Sequence, residues 1–126
     1  MVYAGTETVT VEKLPNGLNR LKISTAGIDA NAEEGSVIDL HKYQINLTKA
    51  GIIARRTAGS TDTVEVNIMA SADGTEYEEL ASCVSSAAST AFVWASSFAT
   101  KSLRYVKVVC VTVGSGNTLT STVYLE

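Results

Sequence analysis

A general base for neutral-pH chemistry is scarce in this chain, because His41 is its single histidine. It sits in Leu40-His41-Lys42-Tyr43, a polar stretch between two apolar segments. A hydrolase would need His41 brought to a hydroxyl and a carboxylate. No GxSxG elbow, P-loop or GxGxxG occurs, and Gly114-Ser115-Gly116 lacks the third glycine. The densest acidic group is Asp73, Glu76, Glu78 and Glu79. Calcium takes six to eight oxygens in many sites, but the alternating Asp order of a calcium loop is missing here. Alternation along a strand would also send Glu79 to the face opposite Glu76 and Glu78. The densest basic group is Arg55-Arg56 with Lys42 and Lys49. It lacks the interleaved aromatics of a nucleic-acid groove. Trp94 and Tyr77 could form a stacking platform for a sugar, against the commoner role of aromatics as packing. Cys83 and Cys110 are the two thiols. Cys110, within Val108-Val109-Cys110-Val111, reads as a small buried filler, and a disulfide is not expected.

The 126 residues make one domain, 45% hydrophobic and 18% charged, with a net charge of −3. Such a chain has enough apolar surface to fold and no positive field to attract nucleic acid or an anionic membrane. One histidine and two cysteines leave no zinc ribbon and no multi-histidine metal site, so no cofactor is expected. Met1-Val2-Tyr3-Ala4-Gly5-Thr6-Glu7 lacks the basic start and apolar core of a signal peptide. Synthesis in a cytoplasm is the expectation, with export only as part of an assembly.

Any such groups must be held by strands, because alternation with intervening turns dominates the pattern. Thr8-Val9-Thr10-Val11 is rich in β-branched residues, whose stiff side chains suit a pleated surface. Pro15-Asn16-Gly17 reverses the chain. Leu21 and Ile23 then alternate with Arg20 and Lys22, which predicts a hairpin over roughly 6–24. Ser36 to Leu40 and Tyr43 to Thr48 are strand candidates, the second placing Tyr43, Ile45 and Leu47 on one side. Ala50-Gly51 marks a bulge or bend. Thr63 to Ala70 predicts Val64, Val66, Ile68 and Ala70 inside, with Thr63, Glu65 and Asn67 outside. Ser71, Asp73 and Gly74 form a turn signal, since Asp and Gly accept positive φ. Thr75 to Cys83 sends Tyr77 and Leu80 inward. Residues 87–99 fit either a helix, through Ala88, Ala91, Phe92, Ala95 and Ala99, or a strand through Trp94 followed by a loop. The surrounding serines and threonines favour the strand. Leu103 to Val113 is the most apolar strand and reads as central. Arg104 and Lys107 have opposite parity there, which a bulge or a solvent-facing end would resolve. Thr118 to Leu125 returns with Leu119, Val123 and Leu125 inward, interrupted by Ser121. The candidate core is Val64, Val66, Ile68, Tyr77, Trp94, Tyr105, Val108 and Cys110. About eight or nine short strands with turns between them predict an all-β antiparallel sandwich of jelly-roll type.

One string is more specific. Arg56-Thr57-Ala58-Gly59-Ser60-Thr61-Asp62-Thr63-Val64-Glu65-Val66 runs on through Ala70-Ser71-Ala72-Asp73-Gly74-Thr75-Glu76-Tyr77-Glu78-Glu79-Leu80. Leu103-Arg104-Tyr105-Val106-Lys107-Val108 and Gly114-Ser115-Gly116-Asn117-Thr118-Leu119-Thr120 follow. Over roughly 36–126 this order resembles small β-sandwich structural proteins of tailed bacteriophages and prophages. A strand, a Ser-x-Asp-Gly turn, an aromatic and a later Arg-Tyr-Val-basic-Val strand recur in them. Carbohydrate-binding modules and discoidin-like jelly rolls share a looser version. The resemblance implies a non-enzymatic virion component, such as a capsid decoration protein. Its implied partners are the major capsid or another virion protein and further copies of itself. It carries over no catalytic residue. A carbohydrate-binding or adhesin-like module is the alternative.

Overall fold

The computed structural model describes residues 5–29, 31–56, 63–86, 90–96, 103–113 and 118–126, with residues 56, 63, 85–86 and 90–96 described as backbone. These residues form β1 (Thr6–Lys13), β2 (Asn19–Ile28), β3 (Glu33–Glu34), β4 (Ile38–Asp39), β5 (Lys49–Arg56), β6 (Thr63–Ser71), β7 (Glu78–Ser86), β8 (Thr90–Ser96), β9 (Tyr105–Thr112) and β10 (Leu119–Leu125). A 3-10 turn spans Leu40–Tyr43. No helix among the described residues is long and apolar enough to cross a membrane.

All pairings are antiparallel and build two sheets. One has the order β1-β2-β10-β5-β8 and the other β3-β9-β6-β7, with β4 also on β9. After β2 the chain shuttles between sheets at nearly every connection, so neighbours in a sheet come from distant parts of the sequence. This is the jelly-roll arrangement of a β-sandwich, as the strand count implied. The expected hairpin is β1 with β2, longer than the pattern suggested. It belongs to the sandwich itself, since β2 pairs with β10.

Leu21, Ile23, Ile52, Ile68, Val108, Cys110, Leu119, Val123 and Leu125 fill the space between the sheets. Each such aliphatic side chain contributes about 1.5–3 kcal/mol when fully buried. Val64, Val66, Ile68, Val108 and Cys110 take their expected inward places. Ser121 keeps the inward parity of β10, and its hydroxyl lies 2.6 Å from that of Thr25, both groups buried. The interruption in that strand is thus a satisfied polar pair inside an apolar core.

Several expectations are corrected. Tyr77 and Tyr105 are not core residues but half-buried ones on the outer side. Each ring lies under a cation instead: Lys107 Nζ is 4.4 Å from the Tyr77 centroid, and the Arg104 guanidinium 5.1 Å from that of Tyr105. A register shift in the β6–β7 ladder leaves Leu80 without an opposite residue; it is half-buried and packs against the core beside the inward Ala81 and Cys83. Asn67 faces outward as expected yet is buried, because Glu65 and Glu79 close over it and accept from its amide at 3.0 Å each. Residues 45–48 keep the expected alternation but form no strand. Gln44 adopts φ 57 and turns the backbone, and Thr48 N–H and Lys49 N–H converge on the Glu126 carbonyl at 2.7 Å. Ala50 and Gly51 carry no bulge, since β5 runs in unbroken register with β10 and β8. Gly51 stands opposite Tyr124 in that register. Glu33 and Glu34 form a short strand on β9.

The ambiguous stretch contains a strand, β8, in register with β5. Residues 87–89 and 97–99 of that reading, and the side chain of Trp94, lie outside the described residues. The parity conflict between Arg104 and Lys107 resolves at the strand end: Arg104 precedes β9 and is exposed, while Lys107 lies within it.

Candidate functional site

The residues singled out for chemistry are largely occupied with holding turns. Ser71 Oγ donates to Asp73 Oδ1 at 2.9 Å and accepts from Gly74 N–H at 2.9 Å. Asp73 Oδ1 accepts further from the N–H groups of Thr75 at 2.8 Å and Glu76 at 3.0 Å. Those donors, the Glu76 N–H foremost, hold the Asp73 carboxyl below the usual aspartate range. Gly74 takes φ +82, and a Cβ there would meet the Tyr105 ring at 3.3 Å. Ser71, Asp73 and Gly74 therefore form the expected turn, with the carboxylate spent on backbone donors. Among the described residues no group of three or more His, Cys, Asp or Glu is placed to hold a metal ion.

His41 is exposed at the 3-10 turn, and its backbone N–H donates to Asp39 Oδ1 at 3.1 Å. Asp39 is taken by Arg104 through two bonds of 3.0 and 2.9 Å. The pairing lowers the Asp39 pKa and raises that of Arg104. The imidazole thus has a carboxylate near it that is already engaged, and the opening beside it is lined by Gln44, Ile45 and Asn46. The basic group is scattered: Lys49 and Arg55 stand at opposite ends of β5, roughly 20 Å apart at about 3.4 Å per residue. Lys42 caps the Tyr43 ring at 5.7 Å.

The cysteines are buried and free. Both stand opposite Val66, Cys83 on β7 and Cys110 on β9. Two strand spacings separate them, roughly 9–10 Å, beyond the reach of a disulfide. Burial pushes the Cys83 thiol pKa up.

One opening, about 480 Å³, lies beside Asp73, Glu76, Tyr77 and Leu103; another lies at one end of the sandwich. A cleft of about 290 Å³ lies between the β1–β2 turn, the segment 44–49 and Glu126. Leu14, Leu18 and Ile45 supply apolar surface; Asn16, Asn19, Gln44 and Asn46 supply amides. Leu18, 63% exposed, is the most exposed large apolar side chain described. The turn geometry explains this: Gly17 takes φ +83 and Asn16 Oδ1 accepts from Leu18 N–H at 3.0 Å, pushing Leu18 outward. Asn19 donates through its amide to the Tyr43 carbonyl at 2.9 Å, and its Oδ1 has no donor among the described residues. Sequence reasoning missed this cleft. Its three segments are far apart in the chain, and the one signal was the run of amides at 16, 19, 44 and 46. Tyr77, one half of the possible stacking platform, has its ring under Lys107 and its hydroxyl buried, and the Trp94 side chain lies outside the described residues.

No family model and no curated protein matches this chain. Among solved structures it is similar to the CBM22-1–GH10 modules of the N-terminal endo-1,4-β-D-xylanase 10B of Clostridium thermocellum, complexed with xylohexaose. The identity is 11% and the TM-score 0.45, over 98% of this chain and 25% of that one.

Proposed function

We propose that this chain is a non-enzymatic structural subunit of a virion, a capsid decoration protein that docks on the repeated lattice of a major capsid or other virion protein. On this reading it is made in the host cytoplasm, carries no cofactor, self-associates, and ends on the particle. The observation that supports it best is the open end of the sandwich. An exposed leucine flanked by amides, with only Lys49 and Glu126 charged, suits a protein surface. Ion pairs elsewhere are spent between neighbouring strands, as in Arg20–Glu12 at 3.0 Å and Lys107–Glu34 at 3.4 Å. Weak contacts suffice for such a subunit, because many copies act together on a lattice.

The test is cosedimentation with capsids from the particle whose genome encodes the chain. Wild type pellets with them at a fixed stoichiometry, and Leu18→Asp lowers the bound fraction at least tenfold. Equal binding by both would remove the cleft from the reading, and absence of wild-type binding would remove the reading. A second reading, carbohydrate binding, rests on the same amides, which suit sugar hydroxyls. It ranks below because no aromatic ring lines the cleft among the described residues. Retention on insoluble polysaccharide without capsid binding would reverse the order.

A further inference from the structure

The edge strand β1 carries a pattern that neither reading uses. It spans eight residues, Thr-Glu-Thr-Val-Thr-Val-Glu-Lys, and pairs with β2 in unbroken register. Among the described residues nothing pairs with its other side. Natural edges are commonly guarded by proline, a bulge or an inward charge in mid-strand; β1 has no proline and no bulge, and its mid-strand residues are Thr8, Val9, Thr10 and Val11.

The direction of its backbone groups follows from the turn. Leu14 N–H donates to Leu18 O at 2.9 Å, which makes these a hydrogen-bonded pair. Hydrogen-bonded pairs recur at every second residue. Thr6, Thr8, Thr10 and Glu12 therefore bond to β2, while Glu7, Val9, Val11 and Lys13 aim their N–H and C=O at the open edge. The same odd residues share the parity of the buried Leu21 and Ile23 opposite them, so their side chains face the inner side. That side is incompletely covered. The opposing sheet has one strand fewer along its path, and its nearest edge is the short β3 and β4. Val9 is half-buried and Val11 is 43% exposed.

We infer that β1 pairs antiparallel with β1 of a second copy about a two-fold axis through Thr10, joining the two five-stranded sheets into one. This register places Val9 against Val11 of the second copy and Glu7 against Lys13, each twice. All four pairs are of the outward-aimed class, so about eight backbone bonds form. Shifting the register by two residues, the next step that preserves the faces, sets Glu7 against Val11 or Val9 against Lys13. It loses the charge match and keeps one valine–valine pair in place of two. Lys13 also supplies a cation to the Glu7 carboxylate. Ser36 N–H bonds its Oε1 at 3.0 Å, which fixes that carboxylate on the inner side of the edge. The inference is independent of what the open end of the sandwich binds.

Sedimentation of the full chain across a hundredfold concentration range tests it. The wild type moves from monomer to dimer. Val11→Pro removes one outward N–H without touching the β2 ladder, and raises the dimer dissociation constant at least tenfold. Lys13→Glu does the same by facing Glu7 with a like charge. The exchange variant with both Glu7→Lys and Lys13→Glu restores dimerisation to within about threefold. Circular dichroism confirms that each variant is folded. Amide exchange of the wild type adds a residue-level readout: Val9 and Val11 are protected at high concentration and exposed on dilution, while Thr8 and Thr10 are protected at both. A wild type monomeric throughout, or a dimer indifferent to Val11→Pro and Lys13→Glu, overturns the inference.

Discussion

Removing one hydroxyl from the buried Thr25–Ser121 pair strands the other inside the core. The two oxygens are 2.6 Å apart and both residues are 1% exposed, so water cannot replace the lost partner. Ser121→Ala forfeits a bond worth about 1 kcal/mol and leaves the Thr25 hydroxyl with a burial penalty of about 1–3 kcal/mol. A destabilisation of about 2 kcal/mol is expected, or roughly 6–10 °C in Tm for a chain of this size. Thr25→Val alone costs somewhat less, because the smaller serine hydroxyl can turn toward a backbone carbonyl. The two changes together remove both polar groups while nearly keeping shape, so the double variant falls within about 1 kcal/mol of wild type. Urea unfolding of the four proteins measures the coupling, expected at about 2–3 kcal/mol. Simple additivity, or a neutral Ser121→Ala, would refute the reasoning that this pair is the polar hinge pin of β2 and β10.

Other consequences are nearer the surface. Gly74→Ala forces an alanine to φ +82 against the Tyr105 ring, at a cost of about 1–2 kcal/mol by thermal unfolding. The Asp73 carboxyl is held below its unfolded value, so its contribution is fully present above about pH 4 and is lost as pH falls through the lower folded value. Asp73→Asn accordingly destabilises at pH 6 and converges on wild type as acid unfolding proceeds. Cys83 and Cys110 are buried and too far apart to join, and burial raises the Cys83 thiol. Neither should react with iodoacetamide at pH 7 until urea unfolds the chain, when two equivalents are taken up. Oxidation should yield no intramolecular crosslink in the folded protein.

Much of the fold was legible because β-sandwich cores impose a period of two on both sheets. Val64, Val66, Ile68, Val108 and Cys110 obeyed it and are buried. Tyr77 and Tyr105 misled because a tyrosine ring can be half-covered from outside by a cation, here Lys107 and Arg104, without entering the core. Leu80 packs against the core as expected, but the bulge beside it is a property of the ladder between two strands and leaves no local mark. Ser121 looked like a flaw because its partner, Thr25, lies 96 residues away. The turn at Ser71, Asp73 and Gly74 was readable since all its bonds are local. The amide-lined cleft was not, being assembled from both ends of the sequence and the middle. The single histidine could be seen at once; the cleft at the end of the sandwich could be seen only after the strands were ordered.

The most direct test of the central claim is the occupancy of this chain on purified particles, measured by cryo-electron microscopy of capsids with and without it. The account predicts ordered density of a two-layered sandwich at symmetry-related lattice positions, with the Leu18 end facing the capsid. Particles carrying no such density at saturating concentrations of the folded chain would contradict it.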